Sequence, residues 1–147
     1  MRSHVVLGSV TKPIAVFVDG ASRGNPGPAS VGIVFQDKHG NTLKTISKAI
    51  GIATNNTAEY TALILALQDA LMQNIKELTV FTDSELVAKQ FSGEYKVKEP
   101  NIKVLFLILS HLRQGFKNIN VTHVPREKNK LADEAANNAL DAGQFFL

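Results

Sequence analysis

The sequence predicts an α/β protein with a mixed five-stranded sheet and helices on its faces. Two observations predict this class. Near the N-terminus, three apolar or alternating runs follow one another with short connections, which is typical of an antiparallel meander. Two more apolar runs are then separated by helical patterns, which is typical of strands that pair in parallel. The order is βββαβααβα, and no repeat or low-complexity linker divides the 147 residues.

The first strand is the β-branched run at residues 14–19, which stops at Asp19 and passes into a turn rich in glycine and proline. Such an uninterrupted apolar run indicates a strand buried on both faces. The other predicted strands span residues 30–36, 42–50, 78–82 and 119–124. The predicted helices span residues 57–72, 84–91, 100–114 and 130–141. Asn55 or Asn56 is expected to cap the first helix, because asparagine is a favoured N-cap.

Composition limits the classes of function. Hydrophobic residues make up 44% and charged residues 20% of the chain, as in an ordinary soluble domain. The net charge of +3 permits a nucleic-acid partner without requiring one. Cysteine is absent, which excludes disulfides, and no apolar run approaches the roughly 18 residues of a membrane span. We expect a cytoplasmic monomer with no membrane contact or obligate protein partner, and one domain at 13–142 between tails at 1–12 and 143–147.

Four acidic residues stand at the ends of apolar patterns. Asp19 and Asp83 each end an apolar strand, and parallel pairing would bring both to the carboxyl edge of the sheet, where α/β proteins bind ligands. Glu59 and Asp133 each begin an apolar helix face that must pack on the sheet. Each acid has a structural alternative: a turn for Asp19, a helix cap for Asp83, and contact with a helix N-terminus for the other two.

Convergence of these acids at one edge would require compensating charge. Carboxylates that lie close together repel and raise one another's pKa unless cations lie between them. Oxygen ligands, without cysteine or a histidine pair at helical spacing, favour Mg²⁺ or Mn²⁺ over zinc. Two divalent ions about 4 Å apart are a known arrangement for in-line attack on a phosphodiester. The residues thus indicate a Mg²⁺ or Mn²⁺ site suited to that chemistry.

Four motifs carry a resemblance to ribonuclease H type 1, in the bacterial and archaeal form that lacks a basic handle. They are VDGASRGNPGP with Asp19, TNNTAEYTAL with Glu59, VFTDSELV with Asp83, and REKNKLADEAAN with Asp133. Their order and spacing match the family over residues 13–142. The resemblance implies the RNase H-like fold, with strands one to three antiparallel and strands four and five parallel to the first. It also implies endonucleolytic cleavage of the RNA strand of an RNA–DNA hybrid, which leaves 5′-phosphate and 3′-hydroxyl ends.

The resemblance further implies how the acids are used. One Mg²⁺ would be held by Asp19 and Asp133 and would activate water. A second would be held by Asp19, Glu59 and Asp83 and would stabilise the leaving 3′ oxygen. Mn²⁺ can substitute for Mg²⁺ in this prediction. The resemblance also implies that Asn25 and Asn55 or Asn56 read the minor groove, and that Thr54 helps hold a DNA phosphate.

Recognition of the hybrid depends on the 2′-hydroxyl, which every ribonucleotide carries. Backbone groups of the glycine-rich turn and the amides of nearby asparagines can donate and accept hydrogen bonds there. The alternative for Asn25 is ordinary turn chemistry before Pro26. The predicted substrate-binding residues are Gly20, Ala21, Ser22, Asn25, Thr54, Asn55, Asn56, Lys96 and Lys98.

The sequence departs from the longer bacterial pattern in two places. The tryptophan-rich basic handle is missing, and Lys96 and Lys98 are either its reduced substitute or solvated surface. The family often places a mobile histidine before the last acid. His123 is the candidate, but it can belong to the end of the fifth strand, and we therefore favour Arg126 as the residue that helps at the scissile phosphate.

Two alternatives remain open at this stage. A hybrid-binding module without activity would retain the fold, but it would be expected to lack at least one acid, and all four are present. The chain could also be the ribonuclease H domain of a reverse transcriptase.

Overall fold

The computed structural model describes residues 14–143, so the expected tail at 1–12 and all but the first residue of the tail at 143–147 lie outside the described residues. The strands are β1 (Ile14–Ser22), β2 (Gly27–Gln36), β3 (Thr42–Ala53), β4 (Glu77–Thr82) and β5 (Asn118–His123). The helices are α1 (Asn55–Met72), α2 (Glu85–Phe91), α3 (Pro100–Arg113) and α4 (Lys130–Gly143), with a 3₁₀ turn at Arg126–Lys128. Gly143, the first residue of the expected C-terminal tail, is thus the last residue of α4.

The five strands form one sheet in the order β3-β2-β1-β4-β5. Strands β1, β2 and β3 pair antiparallel, whereas β4 pairs in parallel with both β1 and β5. This confirms the predicted mixed sheet. The reason is connection length: short loops can only join antiparallel neighbours, while a helix is needed to return the chain for parallel pairing.

The main core lies between the sheet and α1, α2 and α3. Alternate residues of β1, such as Val16 and Val18, point to this face and are buried. Leu63 and Leu67 of α1 pack against them and are fully buried. Burial of each such side chain contributes about 1.5–3 kcal/mol. The buried face of α1 therefore fixes this helix against the central strand.

The opposite face of the sheet is covered by α4, whose buried residues are four alanines and Leu140. The helix lies so close that a Cβ on Gly32 would be 2.0 Å from the carbonyl oxygen of Ala132. Ser30 donates a hydrogen bond to the carbonyl of Ala136 (2.6 Å), and Ser47 donates to that of Ala135 (2.5 Å). Small residues on both sides thus seat the helix directly on β2.

Element boundaries differ from the predictions around the glycine-rich segment. The first strand continues to Ser22, which pairs with Ala29, so the turn between β1 and β2 is confined to residues 23–26. Helix α1 begins at Asn55, and Thr54 is its cap instead of Asn55 or Asn56. Thr54 accepts a hydrogen bond from the Thr57 amide (3.2 Å). Within residues 14–143, the helices are too short or too polar to cross a bilayer.

Candidate functional site

A polar cleft of about 310 Å³ opens at the carboxyl ends of β1 and β4. The N-terminal parts of α1 and α4, which carry Glu59 and Asp133, also reach this cleft. Nine residues predicted from the sequence line the cleft: Asp19, Gly20, Ala21, Ser22, Asn55, Glu59, Asp83, Arg126 and Asp133. Asn137, which the sequence did not single out, completes the lining.

Asp19 lies inside a strand and not in a turn. It pairs with Gly32 of β2, and β1 continues for three further residues. The parallel register with β4 ends at Val18 and Thr82, so Asp19 and Asp83 directly follow the last paired residues of two neighbouring strands. Asp19 is only 5% exposed. The turn alternative for this aspartate is therefore excluded by its position.

Glu59 reaches the cleft from the other side of β1. It is the fifth residue of α1, two residues beyond the last position that can take part in an N-terminal cap, and is 7% exposed. Its Oε1 accepts a hydrogen bond of 2.8 Å from the amide of Gly20. A Cβ on Gly20 would lie 2.2 Å from the carbonyl carbon of Ala58, so only glycine allows this approach. Close contact between strand and helix places Glu59 beside Asp19.

Asp83 does not cap the helix that follows it. That role belongs to Ser84, whose hydroxyl accepts a hydrogen bond from the Val87 amide at 3.2 Å. The Oδ2 atom of Asp83 is buried and has no hydrogen-bond partner within residues 14–143. Arg126 is the nearest cation, with its Nε 3.9 Å from that oxygen. A buried carboxylate oxygen without a partner carries an uncompensated desolvation cost.

Asp133 lies in the first turn of α4 and lines the cleft near Asp19, whose pKa it helps to raise. Asn137, one turn further, donates from its amide to the Asp133 carbonyl (3.0 Å) and to Asp133 Oδ1 (3.3 Å). These contacts orient the carboxylate towards the cleft. The spacing of four residues on a helix was the signal that could have identified Asn137.

Asn129 ties this helix to the central strand. It is 1% exposed, and its amide donates a 2.9 Å hydrogen bond to the carbonyl of Val18, the residue before Asp19. Its backbone carbonyl accepts a hydrogen bond from the backbone amide of Asp133 at 3.1 Å. Asn129 therefore connects the backbones that carry two of the four acids. It stands in the sequence motif of Asp133, but the motif does not reveal this contact.

Buried carboxylates in the cleft have raised pKa values, because burial removes them from water and their negative charges are not fully balanced by cations in the part of the chain that the structure describes. Burial, followed by the nearby charges of Glu59 and Asp83, raises the pKa of Asp19 to about 9. Burial also raises the pKa of Glu59 to about 8, although the Gly20 amide and Arg126 act in the opposite direction. Protonation at neutral pH is the response of such a site when no cation balances it.

The donor set fits a divalent cation. Oxygen atoms of Asp19, Glu59 and Asp83 all lie within 4.8 Å of one another. The unpartnered Oδ2 of Asp83 and the raised pKa values of Asp19 and Glu59 both mark a position where positive charge is missing. Carboxylate oxygens are the ligands preferred by hard cations such as Mg²⁺ and Mn²⁺.

The other predicted residues lie around the cleft. Asn25 uses its Oδ1 to accept from the Asn55 amide (3.0 Å), which ties the glycine-rich turn to α1. Asn56, Lys96 and Lys98 do not line the carboxylate cleft but line a second groove, of about 490 Å³. His123 is the exposed last residue of β5, so it belongs to the strand, and it is not among the lining residues of the cleft.

Comparison with known proteins places these observations in a family. A family model described as "Reverse transcriptase-like" matches residues 17–139. Ribonuclease HI of Halobacterium salinarum is 42% identical over 128 residues, which are 87% of this chain and 64% of that protein. A bifunctional protein of Mycobacterium tuberculosis is 45% identical over 130 residues, which are 88% of this chain and 36% of that protein. The chain therefore spans between 36% and 64% of the length of these relatives.

Solved structures agree with the sequence matches. The crystal structure of RNase H1 from Halobacterium salinarum superposes with a TM-score of 0.86 at 41% identity, over 89% of this chain and 99% of that one. The structure of LC11-RNase H1 in complex with an RNA/DNA hybrid superposes with a TM-score of 0.85 at 46% identity, over 89% and 99% of the two chains.

Proposed function

Because this chain belongs to the ribonuclease H type 1 family, we propose that it is an endoribonuclease that hydrolyses the RNA strand of RNA–DNA hybrids. The observation that carries the proposal is the carboxylate cluster, in which oxygens of Asp19, Glu59 and Asp83 lie within 4.8 Å of one another beside Asp133. The products are 5′-phosphate and 3′-hydroxyl ends. The similar LC11 enzyme, solved with a bound RNA/DNA hybrid, supports this substrate.

The proposed cofactor is a pair of Mg²⁺ ions, for which Mn²⁺ can substitute. When bound, such ions stabilise charge on the phosphate and lower the pKa of a water molecule. Asp19 is the carboxylate suited to be shared, because it lies beside Glu59 and Asp83 and lines the same cleft as Asp133, which helps to raise its pKa. Glu59 and Asp83 would complete one ligand set, and Asp133 the other. Gly20 holds Glu59 in place through its amide.

Arg126 is the proposed cationic partner of the scissile phosphate. Its side chain is 84% exposed, and its ion pair among the described residues is the 3.9 Å approach to Asp83. Most of its donors are therefore free to bind phosphate oxygens, which guanidinium groups do in a bidentate manner. His123 remains the second candidate for this role, from its exposed position at the end of β5.

Recognition of the sugar edge is assigned to the backbone and side chains beside the carboxylates. Gly20, Ala21, Ser22 and Asn55 line the same cleft and would face the ribose next to the cut. Asn25 acts by holding the Asn55 amide, and its Nδ2 remains available as a donor. Thr54 is exposed at the start of α1 and would contact a DNA phosphate while also capping the helix. Asn56, Lys96 and Lys98 extend the surface into the second groove.

A labelled RNA–DNA hybrid tests the proposal, with duplex DNA and duplex RNA as controls, in Mg²⁺ and in EDTA. We expect cleavage of the RNA strand of the hybrid alone, and only with Mg²⁺. Asp19→Asn should remove a carboxylate that both metal ions would share, and with it several kcal/mol of transition-state stabilisation. We therefore expect its activity to fall by about 1000-fold or more, with the fold intact. Full activity in Asp19→Asn would refute the assignment. Hybrid binding without any cleavage by the wild type would favour the binding-module alternative.

We further propose that the protein acts in the cytoplasm as a monomer. A chain without cysteine is suited to a reducing compartment. Light scattering at micromolar concentration tests the oligomeric state, and a mass of twice 16.0 kDa would contradict it.

A further inference from the structure

The second groove lies beside the carboxylate cleft and is bounded by α1, α2 and the loop at residues 92–99. Asn56 of α1 lines it, whereas its neighbour Asn55 lines the carboxylate cleft, so the two openings adjoin. Lys96 and Lys98 of the loop lie on the groove wall with exposed side chains. The loop has no regular secondary structure, so side-chain and backbone contacts from neighbouring elements must hold it in one conformation.

The first part of the loop is fixed by the end of α2. The amides of Glu94 and Tyr95 both donate to the carbonyl of Lys89, at 2.9 and 3.1 Å. The ammonium group of Lys89 lies 5.1 Å from the centroid of the Tyr95 ring and forms an ion pair with Glu85 at 3.2 Å. These contacts end at Tyr95, so they do not fix the lysines that follow.

Gln90 supplies the contact that reaches the lysines. It is a buried residue of α2, 7% exposed, and both ends of its amide are engaged. Its Nε2 donates to the carbonyl of Lys96 at 3.2 Å, and its Oε1 accepts from the hydroxyl of Tyr60. Tyr60 is 1% exposed and follows Glu59 in α1. A bridge between a hydroxyl and a carbonyl needs a side chain with both an acceptor and a donor, which an amide provides.

We infer that Gln90 is a positioning residue for substrate binding, which fixes the backbone at Lys96 so that Lys96 and Lys98 meet the phosphate backbone of the hybrid. The inference rests on the proposed function. A loop that is already ordered does not pay the entropy of ordering when the nucleic acid binds. Through Tyr60, the same bridge ties the position of the lysines to the helix that carries Glu59.

The test is Gln90→Leu, which keeps the approximate volume and removes both hydrogen bonds. Hybrid binding is measured by fluorescence anisotropy in EDTA, and kcat and KM are measured in Mg²⁺. We expect Kd and KM to rise about 3- to 10-fold, the scale of ordering one or two long side chains, while kcat at saturation changes less than about twofold. The slope of log Kd against log salt should fall by about 1 to 2, as expected when one or two phosphate contacts are lost.

A double-mutant cycle separates positioning from general damage. In a Lys96→Ala/Lys98→Ala background, Gln90→Leu should cause no further rise in Kd, because the groups that it positions are already gone. Gln73→Leu is the matched control, since it also removes an amide that donates to a neighbour, Asp69 Oδ2 at 2.5 Å, but does not line either opening. We expect wild-type Kd and KM for Gln73→Leu.

Three outcomes would overturn the inference: an unchanged Kd in Gln90→Leu, a fall in kcat with unchanged KM, or an undiminished effect in the double-lysine background. If Gln90→Leu does not fold, Tyr60→Phe takes its place, with an expected rise in Kd of about 2- to 3-fold from the loss of one anchoring hydrogen bond. Wild-type protein that neither binds nor cleaves the hybrid would refute the proposed function itself. Wild-type activity with a silent Gln90→Leu would refute only the positioning role.

Discussion

When no cation is bound, the negatively charged form of Asp19 destabilises the folded state. In the metal-free protein, burial and neighbouring carboxylates raise its pKa from 3.8 to about 9. The folded state therefore holds this proton more tightly than the unfolded state does. The resulting stability is complete below pH 3.8 and is lost as the pH rises towards about 9.

Asp19→Asn removes this titration at nearly constant shape. We expect the metal-free variant to melt a few degrees higher than the wild type, with the difference larger near pH 8.5 than near pH 5. Thermal unfolding in EDTA at the two pH values measures it. If the variant is no more stable than the wild type at the higher pH, ionisation of Asp19 does not destabilise the folded protein.

Asn129 has a structural role that can be measured directly. Replacing it by leucine leaves the carbonyl of Val18 without its 2.9 Å partner. An unpaired buried group costs about 1–3 kcal/mol, and the unpartnered Oδ1 of Asn129 is removed at the same time, so the free energy of unfolding should fall by less than about 3 kcal/mol in urea titrations. The affinity for Mg²⁺ should also fall, because the start of α4 is no longer tied to β1. Asn138→Leu, at an exposed position of α4, is the control and should change neither quantity.

The acids could be predicted from the sequence, but their supports could not. Asp19 and Asp83 end apolar strands, and Glu59 and Asp133 begin apolar helix faces. The local sequence pattern therefore marks all four acids. Asn129 bonds to a carbonyl 111 residues away, and no local pattern encodes such a partner. Gln90 and Tyr60, which are 30 residues apart, escaped notice for the same reason.

The predicted boundaries of strands and helices were wrong where tertiary contacts determine the backbone conformation. Glycines 20 and 27 suggested a long turn, yet both lie within strands. The position of Gly20 is explained by its contact with α1, a need that is set by the fold and not by turn chemistry. Thr54 precedes the two asparagines that were expected to cap α1, and its hydroxyl serves equally well. The order and type of all nine regular elements were predicted.

Gly32→Ala should displace α4 as a unit. The added methyl group would lie 2.0 Å from the Ala132 carbonyl oxygen and 2.6 Å from the Ala136 amide nitrogen. We expect a loss of about 1–3 kcal/mol in stability from overpacking, together with weaker Mg²⁺ binding because Asp133 moves with its helix. Gly143→Ala is the matched control, since its nearest neighbour would be 3.9 Å away. Equal stability of the two variants would show that the helix can shift without cost.

For the molecule as a whole, folding, proton binding and metal binding are linked through the cleft. Asp19 and Glu59, with pKa values of about 9 and about 8, must lose protons before they can hold a cation. Mg²⁺ affinity should therefore increase between about pH 7 and pH 9, and binding should release protons. Calorimetry in two buffers of different ionisation enthalpy measures the release. Saturation at about 100 times Kd should stabilise the fold by about 2.7 kcal/mol.

The rules of strand pairing explain why the topology of the whole sheet could be predicted from the sequence. Connection length separates antiparallel from parallel neighbours, and five apolar runs carry that information in their spacing. The loop at residues 92–99 carries no such information. Its conformation depends on contacts with the end of α2 and on the side chains of Gln90 and Tyr60, which only the folded structure brings together.

The contact between Gly20 and α1 has a consequence for reading mutational scans. A library that replaces every position and selects for activity should find Gly20 as intolerant as the four acids, because any Cβ would lie 2.2 Å from the Ala58 carbonyl carbon and pull the amide from Glu59. Ranked by fitness alone, a residue with no side chain would be indistinguishable from a metal ligand. Only a parallel selection for folded protein would separate the two.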